Sequence, residues 1–357
     1  MGLEVHVACF TIDPEGVVLL DENRTTEEVE GIRVHHLTVG KEKMTDSERE
    51  IWDCPHTLTL QMMYQSLEML HQDEKFDCFH SFFLYPVGYI TGLLAKRYKT
   101  PCIATMVGND VKKYIFSPEK AAVCKSGLEN ADRVVGLSRD LIEMADALSP
   151  VRQKSEVIYN SVEIPEQQWI DRSDGESLRV GCAAIFKYAK GLPYLFKAVA
   201  LMRSRARFVL ELCGELRKSE KSVYEHMVAK TGIEDLVVLR EPLPHDEISE
   251  WLRSLDVFVL PSVSEGCPNI LMEALACGTP CIATRTGADE ELIKDRVSGL
   301  IVPCGDSAAL ADALGELIGN NDLRRRLGSA GRLGMRRFSP EKERQDWESV
   351  YREFMVF

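Results

Sequence analysis

Several things are scarce or missing in this chain of 357 residues, and each absence removes a class of protein. No apolar run approaches the length of about 18 residues that crosses a bilayer, and no secretory leader stands at the start. Gly2 follows Met1, but His6 occupies the position where a myristoylation signal carries Ser or Thr. Positive charge is in deficit: 43 Lys and Arg against 56 Asp and Glu give a net charge of −13, which excludes a nucleic-acid binder working through a bulk positive field. The basic spots at 95–99 and 324–337 read as solvated helix faces, with contact to an anionic surface or ligand as the alternative. The eleven cysteines are odd in number, form no CxxC pair and show no zinc spacing with histidine. Cys9, Cys102, Cys182 and Cys213 lie in apolar runs, which indicates buried free thiols in a reducing, cytoplasmic setting. No GxGxxG follows an early strand, which disfavours a dinucleotide dehydrogenase. Low-complexity segments and solenoid-type repeats are also lacking.

What is present is an alternation. The length exceeds one ordinary core, so two domains of similar size are expected. Short apolar runs at 3–10, 32–39, 76–82, 102–107, 133–138 and 155–160 read as strands. Amphipathic spacing at 58–72, 87–99 and 118–131 reads as helices. After a polar stretch the rhythm restarts, with strands near 179–185, 207–214, 236–240, 256–262, 280–284 and 299–303. Helices fall between them, and three more follow at 306–318, 321–337 and 340–354. This is the pattern of two tandem α/β domains, each a parallel sheet with helices on both faces. The expected division is 1–162, a linker at 163–177, a second domain at 178–336, and a last helix in 337–357 packing back on the first domain.

The chemistry concentrates in "SEGCPNILMEALACGTP", residues 264–280. It follows the strand-like "DVFVLPS", and ligands of parallel sheets bind at the carboxyl ends of strands. Pro268 fits an early helix position, and the free N–H groups of the helix start suit a pyrophosphate. Gly266 removes a side chain where backbone must approach a ligand. Glu265 stands at the mouth of the crevice, and Glu273 about one turn into the helix can reach a ribose diol. Together they describe a nucleotide-sugar site. On spacing alone the plainer reading is stronger: Glu265 a cap and Glu273 a solvated helix residue.

The surrounding residues shift that balance. "VFVLPSVSEGCPNILMEALACGTPCIATRTGADEELI" and "SGLIVPCGDSAALADAL" closely resemble the C-terminal domain of the retaining group 1 glycosyltransferases (family 4, GT-B fold), over about 180 residues. That resemblance implies two Rossmann-like domains facing a cleft, with donor bound by the second. Glu265 would face the donor sugar and Glu273 the ribose, while Gly266, Cys267, Asn269 and Ile270 offer backbone around sugar and phosphate. In "FKYAKG", Lys190 matches the family's phosphate lysine. Cys182 stands where an Arg is usual, and Lys187 is a candidate substitute, or else a surface lysine. Gly214 in "LCGELRKS" would give close backbone approach. Glu291 in "TGADEELI" matches the carboxylate of a "GGxPE" turn.

The first half resembles the same family more faintly. Asn109 and Asp110 of "GND" match hydroxyl-binding positions, although those dipeptides also read as a plain turn. His80 stands on the acceptor side, although an isolated histidine is more often a satisfied core residue. Val107 and Phe82 replace two of the family's histidines. Relative to the family the chain begins at "GLEVHV", without the first strand–loop–helix unit, so a partner chain or a dimer is expected to cover a sheet edge. The function implied is hexosyl transfer with retention from a UDP- or GDP-sugar to an unidentified acceptor. Glu265, Lys190 and Asp110 would be its catalytic residues, with no cofactor and no metal, since no DxD pair stands beside the site. A partner-dependent nucleotide-sugar-binding subunit and a nucleotide-sugar epimerase are the competing readings.

Overall fold

The computed structural model describes residues 2–13, 18–20, 22–40, 57–169 and 177–354. It divides into two compact units. One comprises 1–135, 142–156 and 348–357, and the other 136–141 and 157–347.

In the first unit, β1 (His6–Asp13), β2 (Arg24–Val29) and β3 (Ile32–Gly40) form one sheet in the order β1-β3-β2. β1 runs parallel to β3, and β2 antiparallel to it. The parallel pair agrees with the expected strands. β2 is an addition: "RTTEEV" is exposed at every position, so it carries no alternation to reveal it. A second sheet has the order β4-β5-β6-β7, from Phe79–Phe82, Cys102–Met106, Arg133–Gly136 and Ser155–Val157. Helices α1 (Thr57–Glu74) and α2 (Tyr89–Tyr98) share one apolar core with both sheets, through Leu37, Leu70, Phe79, Leu94 and Cys102. α3 (Asn109–Lys112), α4 (Pro118–Asn130) and α5 (Arg139–Leu148) follow. Pro118 sits in the first turn of α4, where its missing N–H leaves no helical bond unmade.

The second unit is built on six parallel strands: β8 (Leu178–Ala183), β9 (Phe208–Cys213), β10 (Val237–Arg240), β11 (Val257–Leu260), β12 (Cys281–Thr284) and β13 (Leu300–Val302). Their order is β10-β9-β8-β11-β12-β13. The chain therefore lays strands outward from β8 in one direction, then returns and lays them outward from β11 in the other. The reversal between β8 and β11 is a topological switch point, where the connections diverge and leave a crevice. Strands β11 and β12 are buried at every residue, as expected where helices cover both faces. Those helices are α6 (Leu192–Met202), α7 (Lys221–Thr231), α8 (His245–Arg253), α9 (Asn269–Cys277), α10 (Asp289–Leu292), α11 (Ser307–Gly319) and α12 (Asn321–Met335). Asp306 caps α11 by accepting from the amides of Ala308 and Ala309.

α13 (Pro340–Arg352) closes the described chain, and the unit boundary within it places 348–357 with the first unit. Residues 170–176 of the expected linker lie outside the described residues. Trp169 before them is fastened to the second unit, its indole N–H donating to Leu255 O at 2.6 Å.

Candidate active site

Two loops leave the strands that flank the reversal. The loop after β8 carries Lys187 and Lys190, and the loop after β11 carries Glu265 and Gly266. They touch through backbone. Val263 N donates to Ala189 O at 2.9 Å. Gly191 sits at φ +69°, and a Cβ there would lie 1.8 Å from Pro261 O, so only glycine fits. A third loop, after β12, grips the second. Ala288 N donates to Gly266 O at 2.8 Å. Gly287, at φ +53°, lies so close that a Cβ would meet Glu265 O at 2.4 Å.

This backbone contact brings the two charged residues together. Lys190 Nζ donates to Glu265 Oε1 at 2.7 Å. Ser262 Oγ donates to the same oxygen at 2.6 Å. The glutamate side chain is only 10% exposed and the lysine 22%, so the pair is well shielded yet reachable from the crevice. Beside it, α9 begins at Asn269 with no side-chain cap. The amides of Leu271 and Met272 turn back to Pro268 O. Those of Asn269 and Ile270 head the helix, where an amide has no partner within the helix. Asn269 Oδ1 accepts from Asn160 Nδ2 at 2.6 Å, which steadies this end. Of the expected residues, Lys190 and Glu265 are in contact, and Gly266, Asn269 and Ile270 follow Glu265 along the same loop and helix start.

Other expected residues have more local duties. Glu273 is half-buried on α9. Burial pushes its carboxyl up from the ordinary value, and the positive potential of His245 opposes this. The Cys267 thiol is pushed up to about 12 by burial, so it stays protonated. Cys182 is fully buried and also pushed up to about 12, chiefly by burial, so it packs as an apolar residue where an arginine was looked for. Lys187 precedes a short 3₁₀ turn that delivers Lys190, its carbonyl accepting from Lys190 N at 2.8 Å. Gly214, at φ +134°, does make a close approach, and its neighbour is protein: a Cβ there would lie 2.1 Å from Ala184 O. Glu291 is engaged on both oxygens. Oε1 accepts from Arg139 N at 3.1 Å, and Oε2 from the Tyr159 hydroxyl. Burial and that glutamate push the Tyr159 phenol up to about 12. Glu291 therefore positions the Tyr159 and Arg139 segments.

In the first unit, Asp110 is fully buried rather than open to a substrate. Its Oδ1 accepts from Leu84 N at 2.8 Å and its Oδ2 from Val107 N at 3.0 Å. Burial raises its pKa against the lowering effect of these amides. Both oxygens hold loops, so the chemistry expected of this carboxylate is replaced by positioning. Asn109, next to it, is exposed at the start of α3. His80 is bonded on both ring nitrogens, Nδ1 to the Tyr351 hydroxyl at 2.6 Å and Nε2 to Thr105 Oγ1 at 2.7 Å. Burial lowers its pKa to about 4, so the ring is neutral. Ser262, Gly287, Asn160 and Tyr159 were not singled out from the sequence. Gly287 falls inside "TGADEELI", which was compared with a "GGxPE" turn only for its carboxylate.

A six-stranded parallel α/β sheet with a shielded Lys–Glu pair and a helix start at its switch point matches the α/β architecture of the GT-B fold. The family models place the chain: "Glycosyl transferases group 1" matches residues 163–334, and "Glycosyl transferase 4-like domain" matches residues 1–161. The chain belongs to the group 1 glycosyltransferases.

Among similar proteins, an uncharacterized glycosyltransferase of Methanocaldococcus jannaschii is 28% identical over 282 residues, covering 79% of this chain and 77% of that one. D-inositol 3-phosphate glycosyltransferase of Streptomyces bingchenggensis is 26% identical over 389 residues, covering 99% and 82%. N-acetyl-alpha-D-glucosaminyl L-malate synthase of Bacillus anthracis is 24% identical over 381 residues, covering 98% and 97%. In fold, sucrose-phosphate synthase of Thermosynechococcus elongatus superposes with a TM-score of 0.76 at 20% identity, over 99% of this chain and 89% of that one. Anabaena HepE, solved in complex with UDP and glucose, gives 0.72 at 17% identity, over 90% and 86%. No helix among the described residues is long and apolar enough to cross a membrane.

Proposed function

We propose that this glycosyltransferase moves a hexose from a UDP- or GDP-sugar to an acceptor hydroxyl with retention at the anomeric carbon. The observation that carries the reading is the Lys190–Glu265 pair at 2.7 Å, set at the switch point beside the start of α9. In the transfer the bond between the anomeric carbon and the diphosphate oxygen breaks, and its electron pair leaves with the nucleotide. Lys190 and the Asn269 and Ile270 amides are fixed in advance where that charge develops, which is the economical form of electrostatic stabilisation. Glu265, held by Ser262, orients the donor sugar, and Glu273 takes the ribose. The diphosphate is met by a lysine and helix amides, so a divalent ion is not required for it. HepE, which shares the fold, was solved with UDP-glucose, which makes UDP-glucose the first donor to try.

A partner-dependent form of this activity is favoured by one observation. β1 ends one sheet of the first unit and β4 ends the other among the described residues, and unpaired edges accept a further strand. A second chain, or a second copy of this one, fits that role. The ten described cysteines are free thiols, in keeping with a reducing compartment.

The test is calorimetric binding and turnover with UDP- and GDP-sugars in the presence of a chelator, for the native chain and for Lys190→Met. One donor should bind the native chain and bind the variant at least tenfold more weakly. Product anomeric configuration is read from the proton coupling at the anomeric carbon. An inverted product refutes retention, and loss of turnover in the chelator refutes metal independence. Binding of no donor refutes the site. Turnover that appears only above the concentration at which the chain self-associates selects the partner-dependent form.

A further inference from the structure

A cluster in the first unit lies outside the residues assigned to the donor. The register of β1 against β3 sets Ala8 opposite His35 and His6 opposite Arg33, so His6 and His35 are diagonal neighbours on one face of the pair. Their rings stack with centroids 5.1 Å apart and 22° between planes. His6 Nδ1 and His35 Nε2 face each other at 2.9 Å. Glu74, the last residue of α1, brings a carboxylate oxygen to the same point, and one ligand atom from each residue lies within 4.8 Å of the others.

The opposite ring nitrogens are also held. His6 Nε2 lies 3.4 Å from Glu4 Oε1. His35 Nδ1 lies 2.9 Å from Thr26 Oγ1, because Thr26 on β2 is the direct register partner of His35. A carboxylate only accepts, so the tautomer of His6 that bonds Glu4 has its hydrogen on Nε2 and turns a lone pair at Nδ1 toward His35. When His35 likewise donates to Thr26, two lone pairs meet at 2.9 Å, and they repel unless a cation lies between them. Ligating histidines are oriented in this way, each by an oxygen on its far nitrogen. His35 is 1% exposed, and the His6 side chain is 7% exposed.

We propose that His6, His35 and Glu74 bind a divalent transition-metal ion of the zinc class, which staples edge strand β1 and β3 to the end of α1. Two imidazoles and a carboxylate suit zinc and its neighbours and suit magnesium and calcium poorly. With metal–nitrogen bonds of about 2.0–2.1 Å, nitrogens 2.9 Å apart subtend about 90°, and opening them by roughly 0.4 Å gives a tetrahedral angle. Arg33 Nη1 on Glu74 Oε2 at 3.0 Å orients the carboxylate. The ligands come from positions 6, 35 and 74, so no local spacing announces them.

The test uses the full chain without an affinity tag, stripped with a chelator, loaded with zinc chloride and dialysed. Metal content is measured, and cobalt chloride supplies a visible absorption band as the ligand signature. The expected result is one equivalent of zinc per chain, a higher midpoint of thermal unfolding with zinc, and slower proteolysis of the N-terminal strand. His35→Gln should lose the zinc and the cobalt band. Glu74→Gln, at a partly exposed helix end, should weaken zinc at least tenfold while circular dichroism stays native, so the proposal remains testable if His35→Gln fails to fold. Less than one-tenth of an equivalent in the native chain overturns the proposal. So does zinc retained equally by both variants, or a cobalt band insensitive to them.

Discussion

Breaking the Lys190–Glu265 pair from each side tests the site most directly. At 2.7 Å and an effective dielectric of 20, the gross attraction is about 6 kcal/mol. Desolvation of the two ions offsets most of this, and the lysine keeps some exposure, so the net coupling should be about 2 kcal/mol. Lys190→Met leaves Glu265 shielded with only Ser262 for company and should cost about 3 kcal/mol. Glu265→Gln keeps a hydrogen-bonding group and releases the lysine, so it should cost about 1 kcal/mol. The double variant should then cost about 2 kcal/mol, less than the sum. Urea unfolding followed by tryptophan fluorescence measures this, since Trp169, Trp251 and Trp347 all lie in the second unit. Binding separates the two roles. UDP should bind Lys190→Met about 30-fold more weakly, the equivalent of about 2 kcal/mol. It should bind Glu265→Gln as well as the native chain or better, while sugar transfer is lost. Additive stabilities within about 0.5 kcal/mol, or equal loss of UDP in both single variants, would refute the reasoning.

Two further expectations concern the elements around the site and the first unit. Gly287→Ala should cost about 1–2 kcal/mol from its left-handed backbone alone, and the contact with Glu265 O should in addition displace the glutamate and lower kcat about 100-fold. Gly232→Ala is the control, with φ +66° and open space around it; similar transfer rates in the two variants would sink the wedge argument. The His80 pKa falls from the usual 6.5 to about 4, so between those values the unfolded chain holds a proton that the folded chain does not. Stability should therefore fall as pH drops from about 6.5 to 4, by up to about 3 kcal/mol, and His80→Gln should lose that slope. Circular dichroism of urea unfolding at pH 7, 6 and 5 reads the difference, and parallel losses in both proteins would exclude His80 as the source.

The strand and helix rhythm was legible because buried parallel strands are short continuous apolar runs and the helices between them are amphipathic. β2 was hidden because its six residues are all exposed and include two glutamates. The residues that meet at the switch point were legible one at a time, through "AKG" and "SEG". That Lys190 touches Glu265 was not, since 75 residues separate them and only the strand order brings β8 beside β11. The protein partners of Asp110 and Glu291 were hidden for a shared reason. A carboxylate in a polar loop looks available in sequence, yet whether it faces a crevice or a neighbouring amide is decided by packing. His80 shows the converse: the chain position of Tyr351, 271 residues away, gave no sign that it would occupy the ring.

The cysteines have a practical consequence. Burial pushes the thiols of Cys102, Cys124, Cys182 and Cys267 up to about 12 and those of Cys78 and Cys277 to about 11, which makes them poor nucleophiles near neutral pH. Cys9 and Cys304 are exposed, and they fall one in each unit. With Cys54 replaced by serine, mild maleimide chemistry would mark those two positions and leave the rest alone. The chain thus carries, in its own residues, one selective attachment point in each unit, and an environment-sensitive dye at either would report on its own surroundings as a nucleotide sugar enters and a product leaves.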